Sequence, residues 1–191
     1  MKNIRSAEKS VFVIILIGKT INTIDYSLVL HRRKSMEKAT FAAGCFWHVE
    51  EAFRHLKGVH STTVGYMGGT LKNPTYEDVC TDKTGHAEVV EVTFDPQIIS
   101  YDVLLATFWN IHDPTTRNRQ GPDVGTQYRS AIFYYNPKQK VAAERSKKNL
   151  EHSGKYIKKI VTEITEATIF YPAEEYHQQY LAKHGLAACP R

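Results

Sequence analysis

The stretch HAEVVEVTF, residues 86–94, constrains the fold more than any other part of the chain. Apolar and polar side chains alternate along most of it, which is the pattern of a β-strand with one buried face. The period of two places Glu88 on the face that also carries Val90 and Val92. The sequence therefore predicts a sheet whose buried face carries one carboxyl group.

The elements around this strand predict an α+β fold. In chain order the patterns indicate a strand at 39–43, a helix from 46 that Gly58 ends, strands at 61–69 and 86–94, a helix at 101–111 capped by Ser100, and a strand at 128–135. This βαββαβ order is typical of a two-layer ferredoxin-like plait with a mixed sheet. Extra C-terminal elements follow: a helix from Pro137 to near Gly154, a strand around 161–170, a helix from Pro172 to before Gly185, and the irregular tail LAACPR.

The positive charge of the chain is confined to its first 35 residues. They hold 7 Lys and Arg against 2 Asp and Glu, and the totals from Met36 onward are 18 and 18. The apolar run VFVIILIG, of 8 residues, is too short to span a bilayer. We expect residues 1–35 to be an N-terminal extension outside the fold, with Met36 as a candidate start, and residues 36–191 to form a single catalytic domain. We expect a cytoplasmic protein, with export through the apolar segment as the alternative.

Three cysteines without a C-x-x-C pair argue against a zinc site, so we expect no metal. Cys45 lies where a predicted strand meets a helix, and the free amides of a first helical turn favour a negative sulfur. A helix terminus contributes only about 0.3–1 kcal/mol, less than the roughly 1.4 kcal/mol of one pKa unit. Something else must therefore activate the thiol. Cys189, on a tail after Gly185, could reach Cys45, which suggests a sulfenic acid followed by a disulfide. We interpret Cys80 as a packing residue.

Other side chains could complete a site at Cys45. A carboxyl on a buried strand face, such as Glu88, favours its neutral form and can then donate a proton. Phe46 belongs to the apolar stripe of the predicted helix. On a helical wheel Trp47 lies instead on the charged face, beside Glu50, Glu51 and Arg54, where an indole needs a purpose. The two rings could line a small apolar pocket, and Tyr76 and Tyr128 could donate hydrogen bonds into it.

A series of short motifs runs along the chain after the N-terminal extension. In order, the motifs are GCFW, GYMGG, NPTYEDVC, TGHAE, FW, HDPTTRNRQGPDVGTQYRSAIFY and FYPAEEYHQQYL. Taken together they resemble the peptide methionine sulfoxide reductases of the A type, and GCFW, GHAE and GTQYRS in this order are highly specific. The resemblance covers roughly residues 38–189, nearly everything after the N-terminal extension.

The resemblance implies that the chain reduces methionine (S)-sulfoxide, in proteins and as the free amino acid, and so repairs oxidative damage. Cys45 would then be the nucleophile that attacks the sulfoxide sulfur. Phe46 and Trp47 would form the wall that holds the methyl group of the substrate. Glu88 would protonate the departing oxygen, helped by Tyr76 and Tyr128, and this coupled proton transfer would supply the missing activation of the thiol.

The resemblance also implies roles at the edge of the site and in recycling. Asp123 and His177 would lie at the rim and bind substrate. Cys189 would resolve the oxidised Cys45, and thioredoxin, or dithiothreitol in vitro, would reduce the resulting disulfide. No bound cofactor, nucleic acid or membrane partner is implied for the domain, which we expect to be a monomer.

Two residues depart from the family pattern, and two other functions remain open. His48 replaces a small residue after GCFW, and Pro122 stands where asparagine is expected; both could alter the pocket. A cysteine hydrolase or acyltransferase would use Cys45 and His48, with Asp113 or Asp123 as the orienting carboxylate. A redox-sensing or nucleic-acid-binding module would stack bases on the aromatic side chains, but the balanced charge of the domain argues against phosphate contacts.

Overall fold

A computed structural model of the chain describes residues 13–17, 20–24 and 35–186. The chain divides into two compact units, Met1–Ser35 and Met36–Arg191. In the first unit, strands β1 (Val13–Ile17) and β2 (Thr20–Ile24) pair antiparallel. All side chains discussed below belong to the second unit.

The second unit is built on a six-stranded mixed sheet with helices between its strands. Its strands run in the order β10-β4-β5-β3-β8-β9, and every neighbouring pair is antiparallel except β8 and β9. The prediction of a helix-and-strand fold with a mixed sheet is therefore confirmed. The elements are β3 (Glu37–Ala43), α1 (Phe46–Arg54), β4 (Val59–Met67), α2 (Tyr76–Cys80), β5 (Ala87–Phe94), α3 (Tyr101–Asn110), β6 (Arg119–Gln120), β7 (Asp123–Val124), β8 (Ser130–Tyr134), α4 (Pro137–His152), β9 (Glu163–Glu166), β10 (Tyr171–Pro172) and α5 (Tyr180–Lys183), with single 3₁₀ turns at Thr126–Tyr128 and Glu175–His177.

Alternating side chains on the central strands enter two separate apolar layers. Phe41 and Val90 belong to the main core, which also contains the helix residues Phe46, Val49, Phe53, Leu104 and Phe108. Their strand neighbours Ala42 and Val89 belong to a smaller layer, against which Ala167 and Phe170 pack. The sheet is thus covered on both faces, which explains why its central strands bury apolar side chains on both sides.

The apolar stripe of α1 anchors this helix to the sheet. Phe46, Val49 and Phe53 are buried, and the ring of Phe53 stacks on that of Phe41 with centroids 4.9 Å apart. The helix ends at Arg54, earlier than the predicted stop at Gly58. Because the stripe holds α1 firmly, the position of its first turn is fixed relative to the strands.

The predicted helix from Pro172 is wrong. Tyr171–Pro172 instead forms the edge strand β10, paired with Gly65 and Tyr66. The segment stays extended because the Gln178 side chain bonds to β4: it accepts a hydrogen bond from the Val64 amide and donates one to the Val64 carbonyl, both at 2.9 Å. The strand predicted around 161–170 is also shorter, Glu163–Glu166, and the sequence predicted neither α2 nor the β6–β7 hairpin.

Candidate active site

Cys45 lies at the junction between β3 and α1, as the sequence predicted. It is the N-cap residue of α1, and its carbonyl accepts the His48 and Val49 amides at 3.2 and 3.4 Å. Gly44, with φ of +92°, makes the sharp turn, and a Cβ there would lie 2.7 Å from the Gln120 side chain. The half-buried Cys45 therefore lies at the very start of α1, directly after a glycine whose backbone packs closely against the Gln120 side chain.

Glu88 lies next to this helix start. It is 2% exposed on β5, in register with Tyr66 of β4, and its Oε2 accepts the Phe46 backbone amide at 3.1 Å. This bond joins the carboxyl group to the residue that directly follows Cys45. The alternation along residues 86–94 therefore placed this carboxyl group on the correct face.

Tyr128 ends the 3₁₀ turn Thr126–Tyr128, and its hydroxyl lies among the acidic groups of the site. Burial is the main cause that raises the pKa of this hydroxyl, and the charges of nearby groups raise it further. The hydroxyl therefore stays protonated and able to donate at neutral pH. The groups whose charges raise the pKa of the Tyr128 hydroxyl are Glu88, Cys80, Asp123 and Cys45.

Tyr76 begins the short helix α2. Its backbone amide donates to Glu174 Oε1 at 2.9 Å, and its hydroxyl is hydrogen-bonded to the Cys80 sulfur. Burial and this bond raise the pKa of the hydroxyl, so it too remains a donor. Cys80 is exposed, so the interpretation of Cys80 as a packing residue is wrong.

Phe46 and Trp47 form a wall of rings with residues from the C-terminal part of the chain. The half-buried Trp47 indole stacks on Tyr180, with centroids 3.7 Å apart and planes within 7°. Its Nε1 donates to His177 Nδ1 at 3.0 Å. The Phe46 ring lies 5.1 Å from the His177 ring, centroid to centroid. Phe46 and Trp47, which are neighbours in one short motif, are thus held in place by residues about 130 positions further along the chain.

His177 is 1% exposed among these rings. Burial lowers its pKa, so the imidazole is neutral at pH 7. Because Nδ1 accepts from Trp47, the proton lies on Nε2. Within the part of the chain that the structure describes, Nε2 has no hydrogen-bond partner, and the nearest carboxylate oxygen of Glu174 is 3.9 Å away. His177 therefore keeps one buried donor unused.

Sequence reasoning missed two residues that support the site, Glu174 and Glu50. Glu174 accepts the Tyr66 hydroxyl at 3.0 Å in addition to the Tyr76 amide. Glu50, which the helical wheel placed on the charged face of α1, is buried and accepts the Gln179 amide at 2.7 Å. Glu174 lies within the motif FYPAEEYHQQYL, which was the one available signal for it.

The remaining predicted residues lie at the edge of the site or outside the described residues. Asp123 is half-buried at the start of β7, and Pro122 is exposed in the turn before it. His48 is exposed on α1. Cys189 lies outside the residues that the structure describes.

The described residues were also searched for metal sites and membrane spans. No cluster of three or more His, Cys, Asp and Glu side chains among them is arranged to hold a metal ion. Nor does the described part of the chain contain a helix of the length and apolarity needed to cross a bilayer.

The site combines a thiol at a helix start, a buried carboxyl group that is hydrogen-bonded to the next residue's amide, and a wall of stacked rings. These are the features of a cysteine-dependent enzyme for a small, partly apolar substrate. Comparison with known proteins narrows this class. The family described as Peptide methionine sulfoxide reductase matches residues 37–190. The chain belongs to this family, and the resemblance seen in its motifs is confirmed.

Individual relatives agree with this assignment. A protein of Methanoculleus marisnigri named Peptide methionine sulfoxide reductase MsrA is 62% identical over 156 residues, which cover 82% of this chain and 95% of that protein. The crystal structure of Mxr1 from Saccharomyces cerevisiae in reduced form is similar with a TM-score of 0.77 and 36% identity, covering 83% of this chain and 91% of Mxr1. Mxr1 in complex with Trx2 matches with a TM-score of 0.55 and 26% identity, covering 83% and 88% of the two chains. None of these relatives supports the hydrolase alternative.

Proposed function

We propose that this reductase converts methionine sulfoxide to methionine with Cys45 as its nucleophile. The Cys45 sulfur attacks the sulfoxide sulfur, the oxygen is transferred to Cys45, and the substrate leaves as the thioether. The substrate gains two electrons, and Cys45 is oxidised to a sulfenic acid. A second thiol then condenses with the sulfenic acid, which releases water and forms a disulfide.

The single observation that carries this proposal is the 3.1 Å bond from the Phe46 amide to Glu88 Oε2. Burial opposes ionisation of a carboxyl group, so the proposal gives Glu88 a proton in the resting enzyme. Glu88 gives this proton to the sulfoxide oxygen as the sulfur–oxygen bond weakens. Glu88 then takes a proton from the Cys45 thiol. The Cys45 thiolate is therefore formed in the same step in which its sulfur attacks the sulfoxide.

The ring wall binds the methyl group of the substrate. The half-buried Trp47 presents apolar surface near Cys45, with the buried Phe46 ring behind it, and burying one methyl group there contributes about 0.8 kcal/mol. This energy orients the sulfoxide without supplying the rate. His177 supports the wall through its bond to Trp47.

Tyr128 and Tyr76 hydrogen-bond the sulfoxide oxygen beside Glu88. Tyr128 has Glu88 and Cys45 among the groups that act on its hydroxyl. Tyr76 must exchange its bond to the Cys80 sulfur for one to the substrate oxygen. Asp123 lies at the rim of the site, where its charge helps to raise the pKa of the Tyr128 hydroxyl. It contributes to substrate binding at this rim.

Cys189 is proposed as the resolving thiol, and thioredoxin as the reductant of the Cys45–Cys189 disulfide. The complex of the yeast relative Mxr1 with Trx2 supports this partner. We also propose that the enzyme repairs both protein-bound and free methionine, acts on the (S)-epimer and needs no bound cofactor. It is proposed to act as a monomer. Cytoplasmic location stays a prediction of the sequence.

The architecture is proposed to be a ferredoxin-like plait extended at both edges. The order β4-β5-β3-β8, antiparallel throughout, supports this proposal, as do α1 and α3 between these strands in the chain. Residues 36–191 are proposed as one catalytic domain and residues 1–35 as an extension. The family match from residue 37 and the division of the chain after Ser35 support that boundary.

Single-turnover reduction of each sulfoxide epimer, without a recycling system, tests the role of Glu88. Glu88→Gln keeps an acceptor for the Phe46 amide but carries no acidic proton, so methionine formation from the (S)-epimer should slow about 10²-fold or more. Glu91→Gln is the matched control, because Glu91 lies on the same strand and bonds Lys38 and Tyr135 instead. A Glu88→Gln rate within about threefold of the parent rate would refute the role of Glu88 as proton donor.

A further inference from the structure

A cationic cavity of about 350 Å³ lies apart from the proposed catalytic groups. Four cationic side chains and one carboxylate line it, so three positive charges are left unbalanced. The residues that line it are Thr116, Arg117, Asn118, Arg129, Ser130, Lys147, Lys159, Ile160, Val161 and Glu163. The domain as a whole has no excess of either sign from Met36 onward, so this concentration of charge is local.

The two less exposed cations are held in place by the protein. Arg129, whose side chain is 11% exposed, donates from Nε to Glu163 at 3.1 Å and from Nη1 to the Thr126 carbonyl at 2.9 Å. Lys147 donates from Nζ to the Thr162 carbonyl at 2.8 Å, which leaves two of its three N–H groups for a ligand. These side chains are therefore already ordered before an anion arrives.

The other two cations are exposed. Arg117 and Lys159 have no ion-pair partner among the described residues. A second cavity, of about 600 Å³, provides a contrast, because Glu37 and Asp102 line it together with Lys138. The excess of three positive charges therefore distinguishes the smaller cavity from this second one.

We propose that the smaller cavity, lined by Arg117, Arg129, Lys147 and Lys159, binds a small multivalent phosphate anion. Arginine forks pair with phosphate oxygens in two-bond geometry, and lysines supply point charges around them. Three unbalanced charges match a diphosphate better than a singly charged carboxylate. The cavity is also large enough for such an anion and for waters that complete its hydration.

The position of the cavity connects it to the proposed reaction. Arg129 directly follows Tyr128 and holds the carbonyl of Thr126, so an anion bound to Arg129 contacts the turn that presents Tyr128. Arg117 lies in the loop that leads to Asp123. This connection rests on the proposed function, whereas binding of the anion does not.

Calorimetric titration of the full chain with inorganic pyrophosphate at constant ionic strength tests the site. We expect one saturable site with a Kd below about 1 mM, and at least about fivefold weaker binding of orthophosphate. Constant ionic strength is essential, because added salt itself weakens contacts between exposed charges. No saturable binding of pyrophosphate, or equal affinity for the two anions, would overturn the proposal.

Variants locate the bound anion without affecting the proposed catalytic groups. Lys159→Ala and Lys147→Met should each weaken pyrophosphate binding about fivefold or more, and the double variant should abolish it at millimolar concentration. Lys148→Met is the matched control, because Lys148 is the exposed neighbour of Lys147 on α4 and does not line the cavity. The Lys159 side chain is exposed and makes no hydrogen bond to the other described residues, so a loss of binding in Lys159→Ala reports on the cavity. Equal losses in Lys148→Met would show that pyrophosphate binds only through the general charge of α4.

Discussion

Glu50 provides a test of how the ring wall is held in place. It lies one helical turn after Trp47 and accepts Thr62 Oγ1 at 2.9 Å and the Gln179 amide at 2.7 Å. Gln179 precedes Tyr180, which stacks on Trp47. The Glu50 carboxyl group therefore fixes the backbone that carries one half of the wall, while α1 carries the other half.

Glu50→Ala removes the acceptor of both bonds. A hydrogen bond to a charged group contributes about 1.5–3 kcal/mol, and an unpaired buried partner costs about 1–3 kcal/mol. The desolvation of the carboxyl group offsets part of this, so we expect the free energy of unfolding to fall by about 2 kcal/mol. Glu50→Gln should restore most of it, because its carbonyl accepts the Gln179 amide and its NH₂ donates to the Thr62 hydroxyl. The KM for sulfoxide should rise in Glu50→Ala and stay near the parent value in Glu50→Gln.

The pH dependence of stability separates the charge of Glu50 from its hydrogen bonds. Burial raises its pKa in the folded protein above 4.5, against the smaller opposing effects of Thr62, Gln179 and Arg54. Its contribution to stability is therefore complete below pH 4.5 and is lost as the pH rises through the folded-state pKa. Glu50→Gln has no such loss, so its stability relative to the parent should increase from pH 4 to pH 7.

Glu51 is the matched control, because its pKa in the folded protein is shifted in the opposite direction to that of Glu50. The hydrogen bond to Arg54 is the main reason that the pKa of Glu51 falls to about 2 in the folded protein. Its stabilisation is present above pH 4.5 and is lost as the pH falls through about 2. Glu51→Gln should therefore lose stability relative to the parent at pH 7, and less so at pH 3. Urea unfolding followed by tryptophan fluorescence measures both variants. A pH-independent difference for Glu50→Gln would refute the reasoning.

Two further predictions concern the wall and the recycling thiol. Trp47→Phe removes the donor to His177, so the KM for sulfoxide should rise severalfold and the free energy of unfolding should fall by about 1 kcal/mol; steady-state kinetics and urea unfolding check this. Trp109→Phe, which loses a 2.7 Å bond to Ser146, should lower stability without changing KM, and a KM that changes equally in both variants would contradict the assignment. Cys189→Ser should complete one turnover, leave Cys45 oxidised by intact-mass analysis, and stop with thioredoxin as reductant; sustained cycling would show that another residue resolves the sulfenic acid.

The position of the carboxyl group could be predicted from the sequence because it depends on a local period. Alternation from His86 to Phe94 fixes which face Glu88 occupies, and the apolar stripe from Phe46 fixes which side of α1 meets that face. Both patterns result from burial against the same core. The approach of Glu88 to Cys45 therefore required no knowledge of the rest of the chain beyond the pairing of β3 with β5.

The C-terminal part of the site could not be predicted in this way. Residues 173–183 have the composition of a helix, but Gln178 bonds to Val64, 114 positions away, and Gln179 bonds to Glu50, 129 positions away. No local pattern reports such bonds, since each depends on where the edge of the sheet lies. The same segment covers Glu50, which explains why the helical wheel placed that residue in solvent.

The bonds of this C-terminal segment also determine how the site and the fold are connected. The segment is held to β4 and α1 mainly by directional hydrogen bonds, with Ala173 and Leu181 as its buried apolar side chains. The main core is instead held by the stacked rings of Phe41, Phe53 and Phe108. Segments with few buried apolar contacts open at lower free energy than the core. The wall formed by Trp47 can therefore loosen while the sheet keeps Cys45 and Glu88 together, so substrate affinity is more sensitive than the chemical step to changes in this segment.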